Sequence, residues 1–209
     1  MRFESLIFDI DGTLWDSRAL VAEGYNLQLR DEGLEHLSTD AETLKGLFGK
    51  VMTEIADALL APIPAPERYA LMERCMAREN QYLQENPCKI GYPGIVEALE
   101  ELSKNHRLFI VSNSQCGYPE LCMDKLGIRQ LIGGHLCFGD TGTPKGETIR
   151  VLMQRHDITS AVYIGDTQGD ADAARDAGIP FVWASYGFGT PDGWVAKADT
   201  PADLTDIFR

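Results

Sequence analysis

Asp9-Ile10-Asp11-Gly12-Thr13 places two carboxylates two residues apart, directly after a short apolar run and ahead of a glycine turn. Two more acids, Asp166 and Asp170, stand four apart after a second apolar run that closes on Gly165. Ser112-Asn113 closes a third run, and Lys145 follows a fourth. If these residues converge, several negative charges meet at one place, which is costly unless a cation sits among them. Carboxylate and carbonyl oxygens, with room for water and phosphate, suit Mg2+, and no Cys/His cluster competes as a zinc site. Such a cation together with Lys145 would admit a phosphate dianion. Ser112, Asn113 and the turn at Gly12-Thr13 could donate hydrogen bonds to its oxygens. The chemistry within reach is attack of one carboxylate on phosphorus, with a second, two residues on, protonating the leaving alkoxide.

Those residues need a frame that brings distant strand ends to one edge. Apolar runs at 5–8, 108–111, 135–138, 161–164 and 181–184 lack polar alternation, so they read as strands buried on both faces. Helical patterns at 94–104, 118–126, 146–156 and 170–177 alternate with the later runs. That rhythm predicts an α/β fold, a doubly wound (Rossmann-like) parallel sheet with helices on both sides. In such sheets ligands bind beyond the carboxyl ends of the strands, where all four polar clusters fall.

Between the first two strands the rhythm breaks. Residues 16–87 are helical in pattern throughout, with helices expected at 17–30, 41–60 and 66–85 and Pro62-Ile63-Pro64 punctuating the last two. A crossover needs about a dozen residues, so this stretch is an inserted α-helical cap subdomain. Residues 1–15 and 88–209 are left as the core, with Gly91-Tyr92-Pro93-Gly94 marking the return. Within the insert, Gly46-Leu47-Phe48-Gly49-Lys50 resembles a break between cap helices, which makes Lys50 a candidate for meeting the non-phosphate end of a substrate.

The 209 residues carry 19 Lys+Arg against 32 Asp+Glu, a formal net charge of −13. A surface that negative repels phosphate backbones and anionic lipid, and no basic run counters it. No stretch approaches the ~20 apolar residues that cross a bilayer, and Met1-Arg2-Phe3-Glu4 runs straight into a strand, unlike a signal peptide. Neither nucleic acid nor membrane is expected as a partner, and no obligatory protein partner is evident. Cys75, Cys88, Cys116, Cys122 and Cys137 are odd in number and form no C-x-x-C pair, which points to a reducing cytoplasm.

Asp9-x-Asp11-Gly12-Thr13-Leu14, the apolar strand ending in Ser112-Asn113, Lys145, and Gly165-Asp166-Thr167-x-x-Asp170 resemble, in order, the four motifs of the haloacid dehalogenase-like hydrolase superfamily. The helical insert resembles that family's small cap, and the run through Ser17 resembles its phosphoglycolate-phosphatase-like branch. The resemblance implies a Mg2+-dependent phosphatase of small phosphorylated metabolites. It implies that Asp9 is the nucleophile forming an aspartyl-phosphate, and that Asp11 is the general acid/base with its backbone carbonyl on Mg2+. Asp9 and Asp166 would give carboxylate ligands, with Asp170 a weaker ligand or a partner through water. Ser112 and Lys145 would hold the phosphoryl oxygens. The family often has Lys-Pro at the third motif, whereas the order here is Thr143-Pro144-Lys145-Gly146; Lys145 is nonetheless the only lysine between Lys125 and Lys197.

The second Asp of the first motif disfavours dehalogenation. A hexose-phosphate mutase of the same superfamily shares the aspartyl-phosphate, and a phosphonatase would need a cap lysine, for which Lys45 and Lys50 are candidates. From another class, a phospho-receiver signalling domain also combines carboxylates, Mg2+, Ser/Thr and Lys on a doubly wound sheet. Such a domain has ~120–130 residues and no long insert, so size argues against it.

Overall fold

β1 (Ser5–Phe8) is buried at all four residues, which is why its sequence shows no polar alternation. The structure, a computed structural model, describes residues 2–209. After β1 come α1 (Arg18–Asp31), α2 (Ala41–Lys45), α3 (Met52–Leu59) and α4 (Ala65–Glu85). Then follow α5 (Ile95–Leu102), β2 (Arg107–Ser112), α6 (Tyr118–Leu126), β3 (Ile132–Cys137), α7 (Phe138–Thr141) and α8 (Lys145–Arg155). The chain closes with β4 (Ala161–Gly165), α9 (Gln168–Ala177), β5 (Phe181–Ala184), β6 (Ala196–Ala198) and α10 (Pro201–Ile207).

The six strands form one sheet in the order β3-β2-β1-β4-β5-β6, with every pairing parallel. This is the expected doubly wound α/β fold. One face is covered by α8 and α9, whose Ile149, Leu152, Ala171 and Ala174 pack on Ile7, Phe109, Val111, Tyr163 and Phe181 of the strands. The chain divides into two compact units, one of residues 2–16 with Ile90–Arg209 and one of Ser17–Lys89. The second unit is helical and has its own core. Val21, Tyr25 and Leu29 of α1 and Leu71, Met72, Cys75 and Leu83 of α4 are buried in it, and α3 adds Ile55.

Three expectations need correction. The run at 41–60 is two helices rather than one, divided at the stretch Gly46–Lys50 where a break was expected: Gly46 and Gly49 (φ 89°) sit in a turn where continuing the helix would cost about 1 kcal/mol per glycine. β3 starts at Ile132 and stops at Cys137 rather than covering 135–138, since Gly133-Gly134 carry no side chain to reveal a pattern and Phe138 opens α7. The sheet has a sixth strand, β6, whose three residues include the exposed Lys197 and so showed no apolar run. Among the described residues no helix is long and apolar enough to cross a membrane, and all five cysteines are unbridged thiols.

Candidate active site

Phe8 pairs with Ile110 of β2 and with Ile164 of β4, so the three strands close within two residues of one another. The next residue, Asp9, donates its N–H to Ile164 O at 2.8 Å. Ser112 and Asp166 fall at the same edge because they close or follow the two neighbouring strands. β2 and β3 lie on one side of β1 and β4 to β6 on the other. Sheet growth therefore reverses at β1, and that reversal is where doubly wound sheets bind ligands.

Lys145 opens α8 and reaches back across this edge. Its Nζ donates to Asp9 Oδ1 at 2.8 Å and to Asp170 Oδ1 at 2.7 Å, with all three side chains at least 96% buried. Asp170 is the third residue of α9, and its other oxygen caps that helix. Oδ2 accepts from Thr167 N–H (2.9 Å), Thr167 Oγ1 (2.7 Å) and Asp166 N–H (3.2 Å). The helix-cap role and the site role thus belong to opposite oxygens of one carboxylate.

Asp166 is fully buried. Its Oδ2 accepts from Phe188 N–H at 2.7 Å, whereas Oδ1 has no hydrogen-bond partner among the described residues. Carboxylate oxygens of Asp9, Asp166 and Asp170 lie within 4.8 Å of one another. Gly12 (φ 79°) and Gly187 make the space, because a Cβ on either would overlap the Asp166 side chain.

Burial governs the charges. It pushes Asp9 up to about 7, opposed by Lys145 and reinforced by Asp170 and Asp11. It raises Asp166 far above the carboxylate range, with Asp170 and Asp9 adding repulsion. For Asp170, burial is outweighed by the attraction and hydrogen bond of Lys145 and by Thr167, so its pKa is lowered. Burial would depress Lys145, but Asp170 and Asp9 overcome it and the ammonium is held charged. Three buried carboxylates face one ammonium, and one carboxylate oxygen has no donor. An all-oxygen donor set with excess negative charge fits a hard divalent cation such as Mg2+.

Asp11 Oδ1 accepts from Trp15 Nε1 and from Tyr118 OH, both at 2.8 Å. Thr13 is buried, and its Oγ1 has no partner among the described residues. Ser112 is buried with Oγ accepting from Ser114 N–H at 3.2 Å, and Asn113 follows it, half-buried.

A model of the family "Haloacid dehalogenase-like hydrolase" matches residues 6–184. The chain belongs to that family. The phosphoglycolate phosphatase of Aquifex aeolicus is 31% identical over 190 residues, covering 88% of this chain and 85% of the relative. That of Agrobacterium fabrum is 30% identical over 191 residues, 87% of this chain and 80% of the relative. A solved haloacid dehalogenase-like family hydrolase from Streptococcus pneumoniae shares the fold, with a TM-score of 0.78 over 99% of both chains at 23% identity.

This haloacid dehalogenase-like hydrolase is a phosphoric monoester hydrolase of the phosphoglycolate-phosphatase-like branch, which removes the receiver-domain alternative. Its α/β unit brings together Asp9, Lys145, Asp166 and Asp170, with Asp11, Thr13, Ser112 and Asn113 on the loops and strand end of the same edge. Lys50 belongs to the other, helical unit, where it is exposed in the turn between α2 and α3. Sequence reasoning passed over four residues that touch the site. Thr167 was signalled by its T-x-x-D spacing, a capping box. Trp15, Tyr118 and Tyr163, whose hydroxyl donates to Val111 O at 2.7 Å beside Asp9, carried no signal in the sequence.

Proposed function

We propose that this hydrolase releases phosphate from a small phosphomonoester through an aspartyl-phosphate on Asp9, with Mg2+ as its cofactor. One observation carries the reading: Asp9, at the end of the central strand, shares a buried cluster with Lys145 and with Asp166, one of whose carboxylate oxygens, Oδ1, has no hydrogen-bond partner among the described residues. Asp9, Asp166 and the backbone carbonyl of Asp11 would hold the cation, and Asp170 would act through Lys145 or through water. When bound, Mg2+ supplies the positive charge that lets a phosphate dianion approach a carboxylate.

The remaining steps belong to the chain itself. A carboxylate oxygen of Asp9 attacks phosphorus, and the bond from phosphorus to the ester oxygen breaks. Asp11 gives its proton to the leaving alkoxide, then takes one from the water that hydrolyses the aspartyl-phosphate. Lys145, Ser112, Asn113 and the Thr13 hydroxyl hold the phosphoryl oxygens, and Asp170 keeps Lys145 in place. The relatives' names make 2-phosphoglycolate the first substrate to test, and the helical unit, with Lys50 in its α2–α3 turn, is the candidate selector of the non-phosphate end.

The experiment is phosphate release from a panel of phosphomonoesters that includes 2-phosphoglycolate, with Mg2+ and with EDTA. Release should require the metal, and rapid acid quenching should trap a hydroxylamine-labile phosphoryl group on Asp9. No release from any ester in the presence of Mg2+ would sink the reading.

A further inference from the structure

Tyr118 is 2% exposed, and its hydroxyl donates to a carboxylate at 2.8 Å. That carboxylate is Asp11, and Trp15 Nε1 donates to the same oxygen, Oδ1, also at 2.8 Å. The two donors come from different parts of the α/β unit. Trp15 belongs to the loop of the first motif, where its carbonyl accepts from Gly12 N–H at 2.9 Å and its N–H donates to Ile10 O at 3.3 Å. Tyr118 opens α6, with Pro119 pre-setting the first turn, and stands 107 positions away from Asp11. The two rings meet edge to face, 5.4 Å between centroids at 78°, so each donor is braced by the other.

We propose that Tyr118, together with Trp15, is a positioning residue that holds the Asp11 carboxyl in the orientation needed to pass a proton to the leaving oxygen. The assignment rests on the phosphatase reading above. An Asp side chain turns about two bonds, and one hydrogen bond leaves its plane adjustable. Two donors on Oδ1 from separate elements fix that plane, and fixing Oδ1 fixes where Oδ2 stands. Were Tyr118 only filling the core, phenylalanine would serve as well, because a buried hydroxyl is costly unless it is hydrogen-bonded.

The test exploits the leaving group. Nitrophenolate departs without a proton, whereas an alkoxide must receive one, so misplacing Asp11 penalises alkyl esters selectively. kcat/KM is measured for the Mg2+-loaded enzyme on aryl and alkyl phosphomonoesters spanning a range of leaving-group pKa. Tyr118→Phe, which keeps the ring against Trp15, should lower kcat/KM for alkyl esters about tenfold more than for 4-nitrophenyl phosphate, steepening the dependence on leaving group. In an Asp11→Asn background the same change should no longer alter the slope, because the effect passes through Asp11. Thermal unfolding is followed in parallel, and if Tyr118→Phe does not fold, Trp15→Phe carries the same comparison. An equal factor on every ester, no change at all, or a slope change that persists with Asp11→Asn would each overturn the assignment. Absence of phosphate release by the wild type from every ester is a separate outcome: it removes the phosphatase reading, and this assignment with it.

Discussion

Lys145 Nζ lies 2.8 Å from Asp9 Oδ1 across 136 positions of sequence. The contact ties the start of α8 to the end of β1, and the same ammonium also holds Asp170 at the start of α9. Neither carboxylate has solvent to screen it, since burial of the three side chains is almost complete. The ammonium compensates the carboxylates in the folded chain, and in the proposed reaction the same group would receive phosphoryl oxygens.

Lys145→Met separates those purposes. It leaves two buried carboxylates without their cation, a loss of about 3–5 kcal/mol for a broken buried pair. The loss should be greatest in metal-free protein near neutral pH and shrink in acid, where the carboxylates take up protons. Turnover should fall by at least about a hundredfold because an electrostatic contact to the transferring group is gone. Denaturant unfolding in EDTA at two pH values, beside phosphate release with Mg2+, checks both. Unchanged stability at neutral pH would contradict the buried ion cluster.

Asp9→Asn should behave oppositely towards stability. The amide keeps the shape and an oxygen for Lys145, and it removes a carboxylate that burial already pushes up to about 7. The metal-free variant is expected to melt no lower than the wild type. Its kcat should nonetheless drop by at least about a thousandfold, because the attacking oxygen is lost. Thermal scans in EDTA and steady-state kinetics give the two readings; retention of a tenth of the turnover would reject Asp9 as nucleophile.

How much of this was legible depends on what a residue type normally does. β1, β4 and β5 stood out because strands covered on both faces read as unbroken apolar runs. The convergence of Asp9, Lys145, Asp166 and Asp170 was legible because acids and a lysine placed after such strands find few other reasons to gather. Gly133-Gly134 concealed the first half of β3, since glycine has no side chain to carry a pattern. The span 41–60 holds two helices rather than one, and Gly46 and Gly49 had already marked where the helix breaks. Trp15 and Tyr118 were invisible for a different reason. An aromatic residue reads as packing, and its single polar atom becomes informative only when folding sets α6 beside the first motif.

Metal and protons should compete for the cluster. In metal-free protein the Asp9 carboxyl is raised from 3.8 to about 7, and Asp166 is raised too, by burial and its acidic neighbours. The folded chain thus keeps protons that the unfolded chain has released. Stability from these groups is fully present below the unfolded value and is lost as pH rises from about 4 through about 7. With EDTA, Tm should decline between about pH 5 and about pH 8. Mg2+ binds the ionised carboxylates, so the rise in Tm that it brings should be larger at pH 8 than at pH 6. Thermal scans with and without the metal at both pH values test this, and a larger gain at pH 6 would contradict it.

Gly187 offers a way to disturb Asp166, the proposed metal ligand, without touching it. A Cβ there would overlap Gly12 O and the Asp166 side chain, and Phe188, the next residue, supplies the N–H that holds Asp166 Oδ2. Gly187→Ala should therefore push Asp166 out of place at an overpacking cost of about 1–3 kcal/mol. The larger effect should be on the cation: the Kd for Mg2+ is expected to rise at least about tenfold, since a displaced carboxylate no longer offers its oxygen to the cluster. Activity lost at low Mg2+ should return in part at high Mg2+, which a generally damaged fold would not do. Gly169→Ala is the matched control. It lies in α9 near the same edge, its Cβ would stand 3.6 Å from Thr167 Oγ1, and alanine favours the helix. Calorimetric titration of Mg2+ into both variants decides the matter: Gly169→Ala should bind like the wild type, and a Gly187→Ala enzyme that does the same would remove Asp166 from the ligand set.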